Sequence, residues 1–285
     1  MMAAPALTGL AVFLAVPFAL AVYFSFTNRS LDSPLPTSYV GLRNYTRILT
    51  DPAFLRGLLN NAVFAAVVVP AQTGLALALA MLLNRPLRGI AVFRSVIFLP
   101  VVFPMALVAV VWTLIFAPGP NGALNAVADT LTLGNWQPVD FLNDPHWAMP
   151  AIILTSLWQG IGFQMVILLA GLQGIPGELY EAASLDRASR WQQFRHVTLP
   201  GLRSTLLFVA LVTTVLAFRL FDQVYIMTSG GPDDATTTVM HQTVTAAFER
   251  QQIAKASAMT VVFFLVVLTI ALIQRRTMRP ERDPR

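Results

Sequence analysis

The chain alternates between long apolar runs and short polar segments, and this pattern is its most informative feature. Six runs reach about the 17–25 residues that a helix needs to cross the hydrocarbon core of a bilayer. None shows strict period-two alternation, which favours helices over the strands of a membrane barrel. We therefore predict an all-α membrane protein, a six-helix transmembrane bundle in a single domain spanning residues 1–285. The predicted spans are 5–26, 60–83, 95–116, 147–172, 205–226 and 257–273.

Proline occurs within or near several of the predicted spans. A proline in a membrane helix frees a backbone carbonyl, which neighbouring helices or water must then satisfy. The prolines therefore favour a packed bundle around a path, although kinks alone do not prove that a path exists. They are Pro17, Pro70, Pro100, Pro104 and Pro150.

Composition supports the membrane assignment. Charged residues make up 12% of the chain, whereas about 25% is usual in soluble domains, so most of the surface must face lipid. The first apolar run is predicted to be a retained span, because no basic residue precedes it and it is longer than the core of a signal peptide. The net charge of +5 comes mostly from arginines between apolar runs, which fits membrane orientation better than nucleic-acid binding.

Basic residues are unevenly distributed between the two sets of loops. The loops after spans two and four and the tail contain twelve, against six in the opposite loops. Because cytoplasmic loops are enriched in Arg and Lys, we predict a multi-pass protein of the plasma (inner) membrane with both termini in the cytoplasm. The loop 117–146 is acidic and has no basic residue, and the tail Arg275–Arg285 is predicted to be disordered near anionic headgroups. The six basic residues of the opposite loops are Arg29, Arg43, Arg47, Arg56, Arg250 and Lys255.

Several kinds of catalytic chemistry have no sequence support. The only lysine, Lys255, follows no glycine-rich turn, so the chain cannot bind ATP through a P-loop. The three histidines lie far apart without metal-ligand spacing, there is no cysteine, and no nucleophile elbow occurs. We predict that the chain is not an enzyme, has no catalytic or metal site, and holds no cofactor of its own.

The segment between spans four and five, about 173–204, has the pattern of two short helices. Gly174 predicts the end of the incoming helix and Pro176 the start of the next. Glu178 and Glu181 favour that new N-terminus. A pair of short helices with a small face and an aromatic face suits docking to another protein, but a plain amphipathic loop on the headgroups is the open alternative. The small residues are Ala182 and Ala183, and the apolar ones are Trp191, Phe194 and Leu199.

This segment resembles the EAA loop of binding-protein-dependent ABC importer permeases, which reads Glu-Ala-Ala-x-x-Asp-Gly-Ala followed by Leu-Pro. Further stretches resemble the carbohydrate-uptake branch of that family, the class of the maltose and glycerol-3-phosphate permeases. Together they extend over nearly the whole chain in the expected order. The matching loop residues are Glu181, Ala182, Ala183, Asp186, Ala188, Leu199 and Pro200, and the other stretches begin at Val40, Phe93 and Phe221.

Two positions depart from the family pattern. Arg187 stands where the family usually has glycine, at the turn between the two short helices. If that turn needs a positive φ, a residue other than glycine costs about 1–2 kcal/mol, so either the turn is remodelled or Arg187 gains a contact with a partner. Ser204 stands where a proline often ends the motif.

The resemblance implies a permease subunit that works by alternating access. The loop, including Glu178, Arg187 and Phe194, would lie in a groove of a separate cytoplasmic ATPase, two copies of which would bind ATP and Mg. A second homologous permease would complete the path as a heterodimer, and an external solute-binding protein would deliver a sugar-type ligand. No nucleic-acid partner is implied.

Polar and aromatic residues inside the predicted spans are candidates for the path or its gate. Arg219 and Asp222 fall three residues apart in span five, which predicts one helix face in the outer part of the bilayer. They can form a gate or ligand contact, or merely a mutually neutralising pair. A sugar path also needs hydrogen-bonding and stacking groups. The candidates are Gln72, Trp112, Trp158, Gln159, Gln164 and Gln223, although the tryptophans can equally be packing or interface residues.

Two other classes of protein compete with this interpretation. An ion-coupled secondary transporter should show several intramembrane carboxylates and recognisable halves, whereas Asp222 is the one clear buried carboxylate, and the EAA-like loop would have no purpose in it. The other class is a membrane-embedded enzyme or a scaffold, and an enzyme would need a cluster of His or carboxylate groups within the spans, which the sequence lacks. The pattern does not separate one sugar or polyol from another.

Overall fold

The computed structural model describes residues 4–85, 88–119 and 122–277, and the side chains from residue 6. In these ranges the regular elements are helices, with one isolated bridge between Thr27 and Tyr39, and the predicted all-α class is confirmed. The α-helices are α1 Ala4–Leu10, α2 Val16–Ser25, α3 Arg43–Leu49, α4 Pro52–Leu83, α5 Ile90–Phe98, α6 Met105–Ile115, α7 Ala123–Leu131, α8 Ala148–Gln173, α9 Gly177–Leu185, α10 Arg190–Gln193, α11 Leu199–Gly201, α12 Arg203–Phe218, α13 Val239–Val244 and α14 Ile253–Thr277.

Four helical runs in the described ranges are long and apolar enough to cross a bilayer: α4, α8, α14 and the run from α1 through a π-turn into α2. Large apolar side chains point outward along them, for example Phe13 at 82% exposure and Leu14 at 69%. Such a band needs hydrocarbon around it. The helix α4 begins earlier than the predicted position 60, because Asp51 caps it by accepting a hydrogen bond from the Ala53 backbone N–H and Pro52 occupies its first turn.

The predicted third span, 95–116, is not one straight helix. The segment Ile90–Val102 and the helix α6 meet at an angle of 98°. The break falls at Phe103, whose ψ of 138° is extended, and at Pro104. A proline pushes the preceding residue out of the helical region, which explains the position of the bend. A second bent pair in the described ranges consists of Arg190–Gly201 and the helix α12, which meet at 68°. Counting each bent pair as one span brings the number of spans in these ranges from four to six.

The predicted fifth span, 205–226, is also interrupted. The helix α12 ends at Phe218, and helical structure resumes at Asp222 and continues through the π-turn Val224–Thr228. The carbonyls freed at the break are bound by buried side chains: Asn61 Nδ2 donates to Phe218 O at 3.3 Å, and Thr238 Oγ1 donates to Leu220 O at 3.0 Å. Because the freed groups have partners, the break is compatible with burial at membrane depth.

The helices run in alternating directions. Residues at the C-terminal ends of α4 and α8 pack with Leu202 in one cluster, where Arg94 Nη2 also donates to Leu83 O at 2.7 Å. The start of α4 instead packs with α13 and the start of α14. The helix α2 lies antiparallel to α14, since Phe18 and Phe264 are in ring contact and the Ala254 N–H donates to Arg29 O. The first and last described helices therefore enter and leave at the same end of the bundle.

Two predictions fall partly or wholly outside the described residues. The tail predicted to be disordered is described only to Thr277, where α14 ends, and Arg279, Arg282 and Arg285 lie beyond it. The start of the chain before Ala4 is likewise outside the described ranges.

Candidate functional site

A polar cavity of about 290 Å³ lies between α4, α8 and the broken segment that follows α12. Five of the residues predicted to line a path are found there, although their side chains come from three separate parts of the sequence. The cavity is bounded by the apolar Phe64, Val68, Met105, Leu216, Ala217 and Leu220 and by the polar Gln72, Ser156, Gln159, Thr213, Arg219, Asp222 and Gln223, with Gly160 between them. We refer to it below as the polar cavity.

Buried amide side chains join the helices around the cavity. Gln164 Nε2 donates to Gln72 Oε1 and to Thr213 Oγ1, each at 2.7 Å. Gln72 Nε2 donates to Ser156 O, and Gln223 Nε2 to Ser156 Oγ, both at 3.0 Å. The three glutamines are 4–6% exposed. One network of hydrogen bonds thus links α4, α8, α12 and the segment after α12, and it holds these side chains in fixed orientations.

Gly160 makes room for this network. A Cβ atom at that position would lie 2.1 Å from Gln72 Nε2. Any side chain there would push the Gln72 amide away from Ser156 and Gln164. The sequence signal is a stripe along α8: Ser156, Gly160 and Gln164 are four residues apart and so share one helix face.

One acceptor in the network is unsatisfied. Gln164 Oε1 is buried and has no hydrogen-bond partner. An unpaired buried acceptor costs about 1–3 kcal/mol, and because Gln164 does not line the polar cavity this cost stays inside the network. Hydroxyl groups, which both donate and accept, suit the amide and hydroxyl side chains of the cavity wall, which also contains the charged Arg219 and Asp222.

Arg219 and Asp222 both line the polar cavity, but they do not share one helix face as the sequence predicted. The helix ends at Phe218, so Arg219 caps it and Asp222 begins the next helical piece. Both side chains are exposed, and the ion pairs found in the described ranges are His146 with Asp144 and Lys255 with Asp51. Arg219 and Asp222 therefore do not neutralise each other in a direct pair, and each presents its charge to the open cavity.

The two predicted tryptophans lie elsewhere. Trp112 and Trp158 contact each other edge to face with ring centroids 5.7 Å apart, and they line a separate apolar pocket of about 360 Å³ with residues of α6. Trp112 also packs on Phe116. In this conformation the two rings contact each other beside the bend in the third span, and Trp158 is 44% exposed.

The segment between α8 and α12 contains the predicted pair of short helices, α9 and α10. The turn that ends α9 is a Schellman motif: Ala188 N donates to Ala183 O at 2.9 Å, and Arg187 N to Ser184 O at 3.0 Å. Arg187 has a φ of 57°, so the turn keeps the left-handed geometry that favours glycine and is not remodelled. Its guanidinium has no ion-pair partner among the described residues.

Local contacts hold the second short helix. Ser189 forms a capping box with Gln192, in which each side chain bonds the other residue's backbone N–H. Tyr180 and Thr198 hydroxyls are 3.0 Å apart and connect α9 to the chain beyond α10. Gly201 lacks a side chain where Ile175 packs, since a Cβ there would lie 2.8 Å from Ile175 Cδ1. The segment is therefore ordered by its own hydrogen bonds and anchored to the start of α12.

The outward surface of this α9–α10 segment is unusually apolar for a loop. Leu185 is 86% exposed, Trp191 67% and Leu179 50%. Ala182 is exposed beside the acidic Glu178 and Glu181, with Asp186 exposed at the end of the helix. Phe194 is half-buried and its ring contacts Trp191. Among the other predicted residues, Ala183, Ala188 and Leu199 are half-buried, and Pro200 is exposed.

The loop 228–238, which follows the break in span five, is held by side-chain hydrogen bonds. Asn60 Nδ2 donates to Asp234 O at 3.0 Å and Thr237 O at 2.8 Å. Next to it, His241 is packed against Gly230. Burial lowers the pKa of His241 below its usual value, although the nearby carboxylates of Glu249 and Asp234 act in the opposite direction.

Sequence reasoning missed several residues of this site. Ser156, Thr213, Asn61 and Thr238 are buried and complete the networks described above. Serine and threonine in helices often bond only their own i−4 carbonyl, so their sequence positions carry little signal. No group of three or more potential metal ligands occurs in the described ranges.

Residues 72–279 match the family described as "Binding-protein-dependent transport system inner membrane component". This match covers more than half of the chain, and the chain belongs to this family. Membership removes the ion-coupled secondary transporter as an alternative, because the family's members are membrane components of binding-protein-dependent systems. It also makes the chain a non-catalytic membrane subunit.

Individual relatives agree with the family. The chain is 32% identical to the sulfoquinovosyl glycerol transport system permease protein SmoG of Agrobacterium fabrum, covering 97% of this chain and 88% of the relative. It is 32% identical to the trehalose/maltose transport system permease protein MalF of Thermococcus litoralis, covering 99% of this chain and 94% of the relative. A bacterial ABC transporter involved in the import of the acidic polysaccharide alginate shares the fold, with a TM-score of 0.84 at 20% identity over 99% of this chain and 95% of that chain.

Proposed function

We propose that this chain forms half of the translocation path of an ATP-binding-cassette importer for a sugar or sugar-derived solute. Family membership makes it an inner-membrane component of a binding-protein-dependent system. The polar cavity is the observation that supports a translocation path, because buried glutamines from several helices surround its open volume of about 290 Å³. We further propose that the described residues form a single permease domain.

The chemistry of the cavity favours a neutral, hydroxyl-rich solute. Its amide and hydroxyl groups, from Gln72, Ser156, Gln159, Thr213 and Gln223, supply donors and acceptors. Relatives named for transport of trehalose/maltose, lactose and diacetylchitobiose point to the same class of solute. Arg219 and Asp222, exposed to the cavity, are the proposed gate or ligand contacts.

We propose that the α9–α10 segment is the surface on which a separate cytoplasmic ATPase docks. Its exposed Leu185 and Trp191 are apolar side chains in a water-facing loop, and burying them against a partner removes that cost. Exposed Ala182 permits close approach, while Glu181 and Asp186 supply charge at the rim. Two such ATPases would bind the ATP and Mg, and a second homologous permease would complete the path.

The proposed orientation places both termini in the cytoplasm. The α9–α10 segment, with Arg187, Arg190 and Arg195, lies at the end of the bundle where α4 and α8 finish. The chain has no native cysteine, so single cysteines report orientation directly. Leu133→Cys and Leu185→Cys are a matched pair, at 90% and 86% exposure. An impermeant maleimide added to intact cells should label the first only, and labelling of Leu185→Cys alone would reverse the orientation.

Docking is tested by affinity co-purification of the tagged chain. Wild type should bring down an ATPase subunit, and a Glu181→Lys, Ala182→Trp double variant should lose it. Ala126→Trp is the matched control, because Ala126 is also an exposed alanine on a short helix. It should retain the ATPase. If the double variant co-purifies as well as wild type, the α9–α10 segment is not the docking surface.

A further inference from the structure

A second polar cavity, of about 470 Å³, lies at the opposite end of the bundle from the α9–α10 segment. Its walls come from the chain after α2, from α3 and from the start of α14. Four of its lining residues are basic: Arg29, Arg43, Arg47 and Lys255. We call it the basic cavity.

The positive charge of the basic cavity is only partly balanced. Lys255 Nζ lies 2.9 Å from Asp51 Oδ2. Burial by itself raises the pKa of Asp51. The hydrogen bond and charge of Lys255, together with hydrogen bonds from two backbone N–H groups, outweigh burial and lower the pKa overall. Asp51 therefore stays ionised. Within the described ranges, no carboxylate lies within 4.0 Å of the guanidinium groups of the three arginines.

Two of these arginines are neighbours on one helix face. Arg43 and Arg47 are four residues apart in α3, a spacing at which like charges repel. Arg29 Nη1 donates only to Thr37 Oγ1, at 3.1 Å. The remaining guanidinium N–H groups can therefore bind an anion, and guanidinium forks match the geometry of phosphate oxygens.

The walls of the basic cavity are held in place without a ligand. Asn44 is buried, and its Nδ2 donates to Ser25 O at 2.8 Å and to Thr27 O at 2.7 Å, which ties α3 to the end of α2. The Ala254 N–H donates to Arg29 O at 2.9 Å, which ties the same region to α14. A fixed frame of this kind lowers the entropy cost of binding.

The distribution of charge along the chain singles out this cavity. The loops on this side of the bundle contain six basic residues, and four of the six line the one cavity. Like charges that are brought close together repel one another, so the concentration of four basic residues around one cavity indicates that an anion binds between them.

The helix α2 ends and the helix α14 begins beside the cavity, so it adjoins the ends of two helices that are apolar enough to cross a bilayer. Two exposed tyrosines belong to the same part of the chain: Tyr23 in α2 is 60% exposed, and Tyr39, next to the lining residue Val40, is 76% exposed. Exposed tyrosines are typical of the boundary between hydrocarbon and water. We propose that the basic cavity binds the phosphate group of an acidic phospholipid in the outer leaflet. The leaflet rests on the orientation proposed above; the anion site itself does not.

The test is lipid binding by the purified transporter assembly, measured by native mass spectrometry and by thermal unfolding. Phosphatidylglycerol should bind wild type and raise its unfolding temperature more than phosphatidylcholine does. The double variant Arg43→Gln, Arg47→Gln removes two arginines from the cavity and should weaken phosphatidylglycerol binding about thirtyfold. Arg56→Gln is the matched control, because Arg56 is an exposed arginine of the same end that does not line the cavity. It should bind as wild type does.

A soluble arm separates the two sources of phosphate. One outcome is that millimolar inorganic phosphate alone stabilises wild type as well as phosphatidylglycerol does, with loss of this effect in the double variant. In that case the anion site stands, but its ligand is soluble and the lipid assignment is overturned. Equal binding of both lipids, or unchanged binding by the double variant, overturns the site. Retention of the ATPase by the Glu181→Lys, Ala182→Trp variant would instead refute the docking proposal and leave these lipid measurements unaffected.

Discussion

The polar cavity and the α9–α10 segment reverse the usual placement of polar and apolar residues in opposite ways. The cavity buries amides and hydroxyls in the middle of an apolar bundle, and long-range side-chain hydrogen bonds hold them. The segment exposes leucine and tryptophan, and mainly local hydrogen bonds hold it. The cavity is thus rigid because side chains from several helices bond one another, whereas the segment is ordered by its own local hydrogen bonds and exposes apolar side chains. Internal polarity suits a solute, and external apolarity suits a protein partner.

The same substitution in α8, a helix that forms a wall of the polar cavity, and in the α9–α10 segment should give the largest contrast. A Cβ at Gly162 in α8 would lie 2.2 Å from Ile97 O, so Gly162→Ala must displace backbone and should lower the free energy of unfolding by about 3 kcal/mol. Gly177→Ala, at the start of α9, meets nothing within 4 Å and should be neutral or slightly stabilising. Thermal unfolding of the purified assembly measures both. Equal effects would show that α9 packs as tightly as α8.

Removing one amide from the network should have the next largest effect. Gln164→Leu leaves Gln72 Oε1 without its donor and should cost about 2 kcal/mol of unfolding free energy, with loss of solute uptake. Gln159→Leu is the control on the same helix, since the Gln159 side chain makes no hydrogen bond in the described ranges. It should change stability by less than about 0.5 kcal/mol. Stability unchanged in Gln164→Leu would refute a structural role for the network.

The turn in the α9–α10 segment offers a smaller effect of opposite sign. Arg187 holds a φ of 57°, so Arg187→Gly should relieve strain and stabilise the segment by about 1 kcal/mol, which hydrogen exchange across α9 can measure. Arg190→Gly, within α10, should destabilise instead. If Arg187→Gly stabilises the segment but weakens ATPase binding, the arginine is retained for a partner contact.

The smallest expected effect is a pH dependence of stability that comes from His241, next to the loop 228–238. Burial puts the folded-state pKa of His241 below 6.5, so its stabilising contribution is complete above about pH 6.5 and is lost as the pH falls through the lower folded-state pKa. Wild type should therefore lose more stability than His241→Gln between pH 8 and pH 5. His146→Gln, at an exposed histidine, should follow wild type. Parallel curves for all three proteins would contradict the burial of His241.

Local signals explain how much of the site could be predicted. Gly174, Pro176 and the EAA-like residues act within a few positions of one another, so the α9–α10 segment was predictable as a pair of short helices. The cavity was predictable only as a set of polar residues in apolar runs. That Trp112 and Trp158 pack away from it, while Ser156 and Thr213 complete it, depends on how α4, α8 and α12 meet.

The sequence by itself determined the membrane class, the helices and the family, because hydrocarbon forces long apolar runs into helices whatever their neighbours are. The local sequence also places the bend in the third span at Pro104, but the tertiary structure alone decided where the fifth span breaks and which side chains meet. The end of α12 at Phe218 is tolerated because Asn61 and Thr238, distant in sequence, bind the freed carbonyls. It also decided that four basic residues from three segments share one cavity. Such pairings depend on contacts between distant segments, and no local pattern encodes them.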